Sequence, residues 1–475
     1  MRPWALAAPI LVLIVSLPLL RPLRHPDANN VSDEEAARLA TIAAVVEHHS
    51  LSLEGLNLGP GVPLPDTGLV RWNDRVFSRQ PPTMAVLLAG PYWVLTRFHL
   101  TLRNSPVLAA YLLTLIGVTI PVAAAAGLIY KMSRVFELRR PLRCAMAIVV
   151  VFGSGLISYA VALNPHAPAA ALILGSVAGL LFVANSRKPR RNIWWLIASG
   201  GCASLAMALD PPAAIFPPAL LLVIFTMRWP IVRRSAGAAL FLLGVIPPLY
   251  LHLALNYRIT GDWKPAMLHP ELTLARTGTG ADLADWGSVG AALAPATRVP
   301  PDEEEDLPPM SGWARLERPT ERLISCLIGP HGVLTHFPVV IVGVLGMFAV
   351  MHRHWPGSVK SLAVVTAAGA IAILIAYSFT FADPRGAMFA NRWFVVFLPL
   401  TLFWSGAWAR SRHSVAVWTA AGIVLFFSVA VSLVGATDPL PRQGYNRYTA
   451  AAAAQRLFGS DNSSVAAPLA ETDQN

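Results

Sequence analysis

Long apolar stretches separated by short polar ones run almost the whole length of the chain. They cover roughly 4–20, 106–130, 144–163, 167–184, 192–209, 212–227, 236–254, 327–350, 361–381, 392–409 and 415–434. Each holds on the order of 20 residues, enough for a helix to cross about 30 Å of hydrocarbon. The pattern predicts an all-α fold: a polytopic transmembrane helical bundle of about eleven spans, with a helical first extracytoplasmic loop. The apolar run at 83–96 is shorter and contains Gly90-Pro91, which suits a re-entrant or interfacial helix. The first run continues into Arg21-Pro22-Leu23-Arg24 without a small-x-small cleavage site, so an uncleaved first span is expected.

Loop charges orient these spans. Lys131, Arg134, Arg139, Arg140 and Arg143 follow the second run, and Arg187, Lys188, Arg190 and Arg191 follow the fourth. Arg228, Arg233 and Arg234 follow the sixth, Arg353 and Lys360 the eighth, and Arg410 and Arg412 the tenth. Every second loop is short and basic, which places those loops and the N-terminus in the cytoplasm. The connections 21–105, 164–166, 210–211, 255–326 and 382–391 then lie outside, with the tail from about 435. Residues 1–434 form one transmembrane bundle that includes the outer loops 21–105 and 255–326. Residues 435–475 form a polar C-terminal tail, expected to be extracytoplasmic and partly disordered. The acid run 302–306 between proline pairs reads as solvated chain.

Composition agrees. Charged residues make up 13% and hydrophobic ones 55%, against about 25% charged in a soluble domain. The net charge of +11 is carried by the inner loops, so it reports topology and not a nucleic-acid partner. Membrane lipid is the surrounding medium. The three cysteines, Cys144, Cys202 and Cys326, are far apart and form neither a disulfide framework nor a zinc motif.

Candidate chemistry gathers on the outer side. Ser32-Asp33-Glu34-Glu35 opens an amphipathic segment and has the form of a capping box, with acids at the positive end of the helix dipole. The same residues would hold a carboxylate at the membrane surface, where Asp33 or Glu34 could act as a general base. The run 71–82, Arg-Trp-Asn-Asp-Arg-Val-Phe-Ser-Arg-Gln-Pro-Pro, combines interface aromatics with arginines suited to phosphate. Asn164-Pro165-His166, Asp210-Pro211-Pro212, Gly329-Pro330-His331-Gly332, Asp383-Pro384-Arg385 and Asn391-Arg392 each have the form of a turn. All fall on the outer face, where ionisable groups next to hydrocarbon tend to mark function. His166 and His331 with Asp33 or Asp210 could bind a divalent metal, but no HxxxH or HxH spacing supports one.

The order of these pieces resembles the C-type glycosyltransferase (GT-C) superfamily, to which protein O-mannosyltransferases and lipid A aminoarabinose transferases belong. The resemblance rests on the first-loop acids, Phe77-Ser78-Arg79-Gln80-Pro81-Pro82, Leu163-Asn164-Pro165-His166, Asn256-Tyr257-Arg258-Ile259-Thr260-Gly261-Asp262, Gly329-Pro330-His331-Gly332, and Asn391-Arg392-Trp393 before Phe397-Leu398-Pro399-Leu400. It covers most of residues 1 to 410 and is closest to bacterial members. It implies inverting transfer of a sugar from a polyprenyl-phosphate-linked donor to a lipid, glycan or protein acceptor at the extracytoplasmic face of a bacterial cytoplasmic membrane. The implied base is Asp33 or Glu34, and Arg79, Arg385 and Arg392 are implied to bind the donor phosphate. Asn164, His166, Asp210, His331 and Asp383 are candidates for the substrate pocket. No cofactor is required. The chain departs from the family pattern at Asn29-Asn30-Val31-Ser32, where a glycine is common, and in the loop Phe381-Ala382-Asp383-Pro384-Arg385-Gly386. The alternative is a transporter or lipid flippase, which would carry polar or broken helices near the bilayer midplane.

Overall fold

A computed structural model describes residues 3–20, 32–56, 58, 69–73, 75–186, 189–266, 269, 273–275, 314–380, 388–411, 413–440 and 449–458. Helices α1 (Trp4–Ser16), α2 (Asp33–Glu47) and α3 (Thr83–Arg97) lead into a 31-residue helical stretch. There α4 (Pro106–Thr114) passes through a π-helical turn, Leu115–Thr119, into α5 (Ile120–Met132). Next come α6 (Arg140–Gly153), α7 (Leu156–Tyr159), α8 (His166–Asn185), α9 (Pro189–Leu209), α10 (Phe216–Phe225) and α11 (Ile231–Thr260). They are followed by α12 (Ala314–Ile328), α13 (Val333–His336), α14 (Val340–His352) and α15 (Gly357–Thr380). The last helices are α16 (Leu398–Phe403), α17 (Ser405–Ala409), α18 (Val415–Gly435) and α19 (Thr449–Phe458).

The protein is a helical membrane protein, as the apolar pattern requires, but the count of about eleven spans is not confirmed. Among the described residues six helices are long and apolar enough to cross a bilayer, or up to seven if the segment 319–336 and Val340–His352, bent by 91°, form one span. The runs 4–20 and 212–227 form shorter apolar helices, and two others are broken. The run 144–163 breaks at Gly155, whose φ of +74° favours glycine and where a Cβ would strike the Phe337 ring. The run 392–409 breaks into a 3-10 turn, Arg392–Phe394, and the short helices α16 and α17. Its residues Leu398, Leu402, Phe403 and Trp404 are buried inside the protein, so their apolarity serves the core.

Helix α8 is buried over most of its length, whereas α11 and α18 are largely exposed. The outer helices show large apolar side chains such as Val415, Phe426, Val232 and Trp194, each more than two-thirds exposed, as a lipid-facing belt requires. Helices α9 and α11 meet backbone to backbone. A Cβ on Gly200 would run into the Phe241 carbonyl, and one on Gly244 into the Ile197 carbonyl. Small residues at such a crossing allow the dispersion contacts that hold helices together in lipid. Arginines of the basic loops settle on aromatic rings, with Arg143 over Tyr130 at 4.6 Å and Arg410 over Trp355 at 5.3 Å.

A three-stranded antiparallel sheet adds to the all-helical expectation. Strands β1 (Leu69–Trp72) and β2 (Arg75–Ser78) pair as a hairpin, and β3 (Thr273–Ala275) joins the free edge of β1. Val70 and Phe77 pack on Ile259 and Ala266, seating the hairpin on the end of α11.

The α9–α11 crossing gives a test of this packing. Gly200→Val must force the helices apart and should cost about 1–3 kcal/mol, the usual range for overpacking. The readout is a lower apparent unfolding temperature in detergent. Gly422→Val, where a Cβ meets nothing within 4 Å, should leave that temperature unchanged.

Candidate functional site

The site begins at the cap of α2. The Ser32 hydroxyl accepts from the Glu35 N–H at 3.4 Å, and the Glu35 carboxylate accepts from the Ser32 N–H at 3.4 Å, which closes the expected capping box. Glu35 is buried, and its other oxygen accepts from the Leu163 N–H at 3.0 Å. One turn on, the buried Arg38 donates to the Leu163 carbonyl at 3.2 Å and to the Gln80 side-chain oxygen at 3.3 Å. The first-loop helix is thereby tied to the turn before α8 and to the strap leading into α3. At the far end of α2, the Tyr92 hydroxyl donates to Glu47 at 2.8 Å and accepts from the Leu102 N–H at 3.0 Å.

Glu34 lies between two guanidinium groups. Arg392, from a turn 358 residues away in sequence, donates to its Oε1 through a short charge-assisted bond, and Arg38 stands 3.5 Å from its Oε2. The Glu34 and Arg392 side chains retain only 20% and 15% of their exposure. Burial alone would raise the Glu34 carboxyl. The charges of Arg392 and Arg38 and the Arg392 hydrogen bond outweigh it and hold the group at about 2. Asp33, one residue earlier, is half-buried.

A second pair stands beside the first. His166, at the start of α8, shares a 2.8 Å hydrogen bond through Nδ1 with Asp210 at the end of α9, and both side chains are buried. Tyr159 meets the His166 ring edge-on. Tyr377 of α15 lies within electrostatic reach of both Asp210 and Arg392, and its ring stacks on Trp393 at 4.5 Å. The Asn391 side chain accepts from the Trp393 N–H and so fixes the turn that presents Arg392.

Of the residues singled out from the sequence, Asp33, Glu34, His166, Asp210 and Arg392 come together here. Asn164 is close by but shapes the backbone. Its amide donates to the Tyr159 and Ala162 carbonyls at 2.6 and 2.8 Å, and its oxygen accepts from the Ala167 N–H. Arg79 is exposed on the strap. His331 is buried in the turn before α13. Asp383 and Arg385 lie outside the described residues. Among the described residues no group of three or more His, Cys, Asp or Glu side chains could hold a metal ion. Sequence reasoning missed Arg38, Tyr159 and Tyr377. Arg38 did carry a signal: it is the one basic residue on an otherwise apolar face, four residues after Glu34.

The Glu34 ion pair has a defined pH signature. The folded carboxyl titrates below its ordinary value, so the unfolded chain binds the proton first as pH falls. The stabilisation is complete above the ordinary carboxylate range and drains away as pH drops from about 4.5 toward 2. The difference in unfolding temperature between wild type and Glu34→Gln should be flat from pH 5 to 8 and shrink below that range.

No family model matches the chain, and no curated protein matches it either. Solved structures do. The oligosaccharyltransferase of Archaeoglobus fulgidus in its apo form aligns with 97% of this chain and 59% of its own, at TM-score 0.56 and 12% identity. ArnT from Cupriavidus metallidurans bound to undecaprenyl phosphate aligns with 91% of this chain and 64% of its own, at TM-score 0.50 and 14% identity. The chain thus spans about three-fifths of the length of the proteins it matches. Both neighbours are C-type glycosyltransferases, and this chain shares their fold.

Proposed function

We propose that the chain is a membrane glycosyltransferase that moves a sugar, with inversion, from a polyprenyl-phosphate-linked donor to an acceptor at the extracytoplasmic face. The observation that carries the reading is the assembly of Asp33, Glu34, Arg38, Arg392, His166 and Asp210 at the ends of helices on a glycosyltransferase fold. ArnT, whose fold it shares, binds undecaprenyl phosphate, which supports a lipid-phosphate donor.

The three consecutive acids divide the work. Glu35 is committed to the cap and to Leu163. Glu34 is held ionised by two arginines at about 2, which makes it a poor proton acceptor. The base is then Asp33. Its carboxylate takes the proton of the acceptor hydroxyl or amine. The acceptor atom bonds to the anomeric carbon, and the bond from that carbon to the phosphate oxygen breaks, the electron pair leaving with the polyprenyl phosphate. Arg392 stabilises the departing charge. Its Nη1 is held by Glu34, and its buried Nε has no hydrogen-bond partner among the described residues, so it is available to a phosphate oxygen. His166 and Asp210 flank the sugar. The first loop and the tail lie outside the membrane in this reading, and the basic loops lie within the cytoplasm.

The test is binding and turnover of a radiolabelled polyprenyl-phosphate-sugar panel by the purified protein. Asp33→Asn should lower transfer by about 10²- to 10⁴-fold, the usual contribution of a general base, and leave donor affinity intact. Arg392→Lys should weaken donor binding, because it keeps the charge and loses the fork. Wild type that consumes no donor, while reconstituted vesicles move a lipid or solute, would replace this reading with transport.

The donor set also bears on metal dependence. Charge stabilisation comes from arginine here, so transfer should persist in excess chelator. A loss restored by added divalent ion would move that role from Arg392 to a metal.

A further inference from the structure

The tail beyond α18 is expected from its sequence to be polar and partly disordered, yet part of it packs into the bundle. Thr449, the first residue of α19, is fully buried. Its N–H donates to the Pro330 carbonyl at 3.3 Å. Its hydroxyl oxygen accepts from the Ala390 N–H at 3.0 Å and is 2.6 Å from Nε2 of the buried His336. His336 Nδ1 is 2.8 Å from the Gly332 carbonyl, an acceptor only, so the ring proton belongs on Nδ1. Nε2 then accepts, and the Thr449 proton goes to it. The relay from Ala390 through Thr449 and His336 to Gly332 is satisfied at every step. Replacing any partner by an apolar group strands a buried donor or acceptor.

The residue held by this relay occupies a demanding position. Ala390 has φ +48°, a left-handed conformation that costs a non-glycine residue and persists where its surroundings over-determine it. Phe389 before it is also clamped. Its N–H donates to the Pro439 carbonyl, its carbonyl accepts from the Tyr159 hydroxyl, and a Cβ on Gly435 would strike its ring. Two residues after Ala390 comes Arg392. The chain beyond α18 thus supplies two of the hydrogen bonds that set the turn presenting Arg392 to Glu34.

We propose that Thr449 is a positioning residue: the C-terminal segment seats Arg392 on Glu34, and donor-phosphate binding depends on that seat. The second clause rests on the glycosyltransferase reading; the first does not. The experiment uses the full-length protein with Thr449→Val, which keeps the shape and removes the hydroxyl, and Thr449→Ser, which restores it. Glu34→Gln should lower the unfolding temperature of wild type, and should lower it by less than half as much in the Thr449→Val background, with Thr449→Ser behaving as wild type. Thr449→Val should also weaken polyprenyl-phosphate-sugar binding about tenfold while the rate at saturating donor changes less. If the valine protein does not accumulate, Thr449→Ala serves in its place. Equal Glu34→Gln effects in both backgrounds overturn the positioning role. Unequal effects with unchanged donor affinity overturn its link to the donor and leave the seat standing. If wild type binds no donor at all, the glycosyltransferase reading and the donor clause fall together, and the stability cycle alone decides the seat.

Discussion

Joining two distant parts of the chain through a buried carboxylate and guanidinium is expensive, because both ions leave water. The Glu34–Arg392 pair depends on the neighbouring donors and acceptors to offset that cost, with Arg392 Nε the one buried donor of the pair left without a partner among the described residues. Much of the site's architecture follows. Arg38 adds a second cation to Glu34 and spends its other donors on the Leu163 carbonyl and Gln80. Glu35 takes the Leu163 N–H, so one residue of the turn before α8 has both backbone groups answered by α2. Asn164 then ties the same turn internally and presents His166 to Asp210. A first-loop helix that looks peripheral in sequence is thus anchored beside α8, the most buried of the candidate spans among the described residues.

The run Asp33-Glu34-Glu35 shows where sequence reading stops. Helix periodicity and capping rules place all three in the first turn of α2, and the structure has them there. The cap role of Glu35 is local, but its bond to Leu163 and the pairing of Glu34 with Arg392 depend on partners 128 and 358 residues away. Nothing local separates Asp33 from Glu34, and the preference for Asp33 as base in the proposed mechanism rests on the contact of Glu34 with Arg392. The polar turns were legible as a set, because Asn-Pro and Asp-Pro punctuate the apolar pattern. Their pairing, His166 with Asp210 and Glu34 with Arg392, was not. Arg79 looked equivalent to Arg392 by residue type and side, yet the hairpin leaves it exposed while the Asn391 turn carries Arg392 inward.

The fold was legible in the same uneven way. Each apolar run is helical over much of its length, because apolarity at this density is set by the medium. The number of crossings was not legible, because the same composition serves two purposes. The stretch from 392 to 409 is apolar since it fills the core around Phe136, Phe403 and Trp404, which pack ring against ring. Hydropathy cannot tell a side chain that faces lipid from one that faces another helix. The small sheet escaped because its strands are three or four residues long, and the docked tail because its anchor is one threonine.

Placement along the bundle supports the proposed interface chemistry over midplane transport. The ionisable residues of the site sit at helix starts or in the turns between helices: Glu34 in the first turn of α2, His166 at the start of α8, Asp210 after α9, Arg392 before α16. A transporter gathers its polar groups where helices break inside the hydrocarbon. Here the break at Gly155 opens onto the Phe337 ring, and the pieces α16 and α17 bury apolar side chains. A polyprenyl phosphate keeps its chain in the bilayer and its phosphate at the surface, so a protein acting on it must hold its charges at the level of the helix ends, where water can still reach an acceptor and the cost of burying ions is smallest.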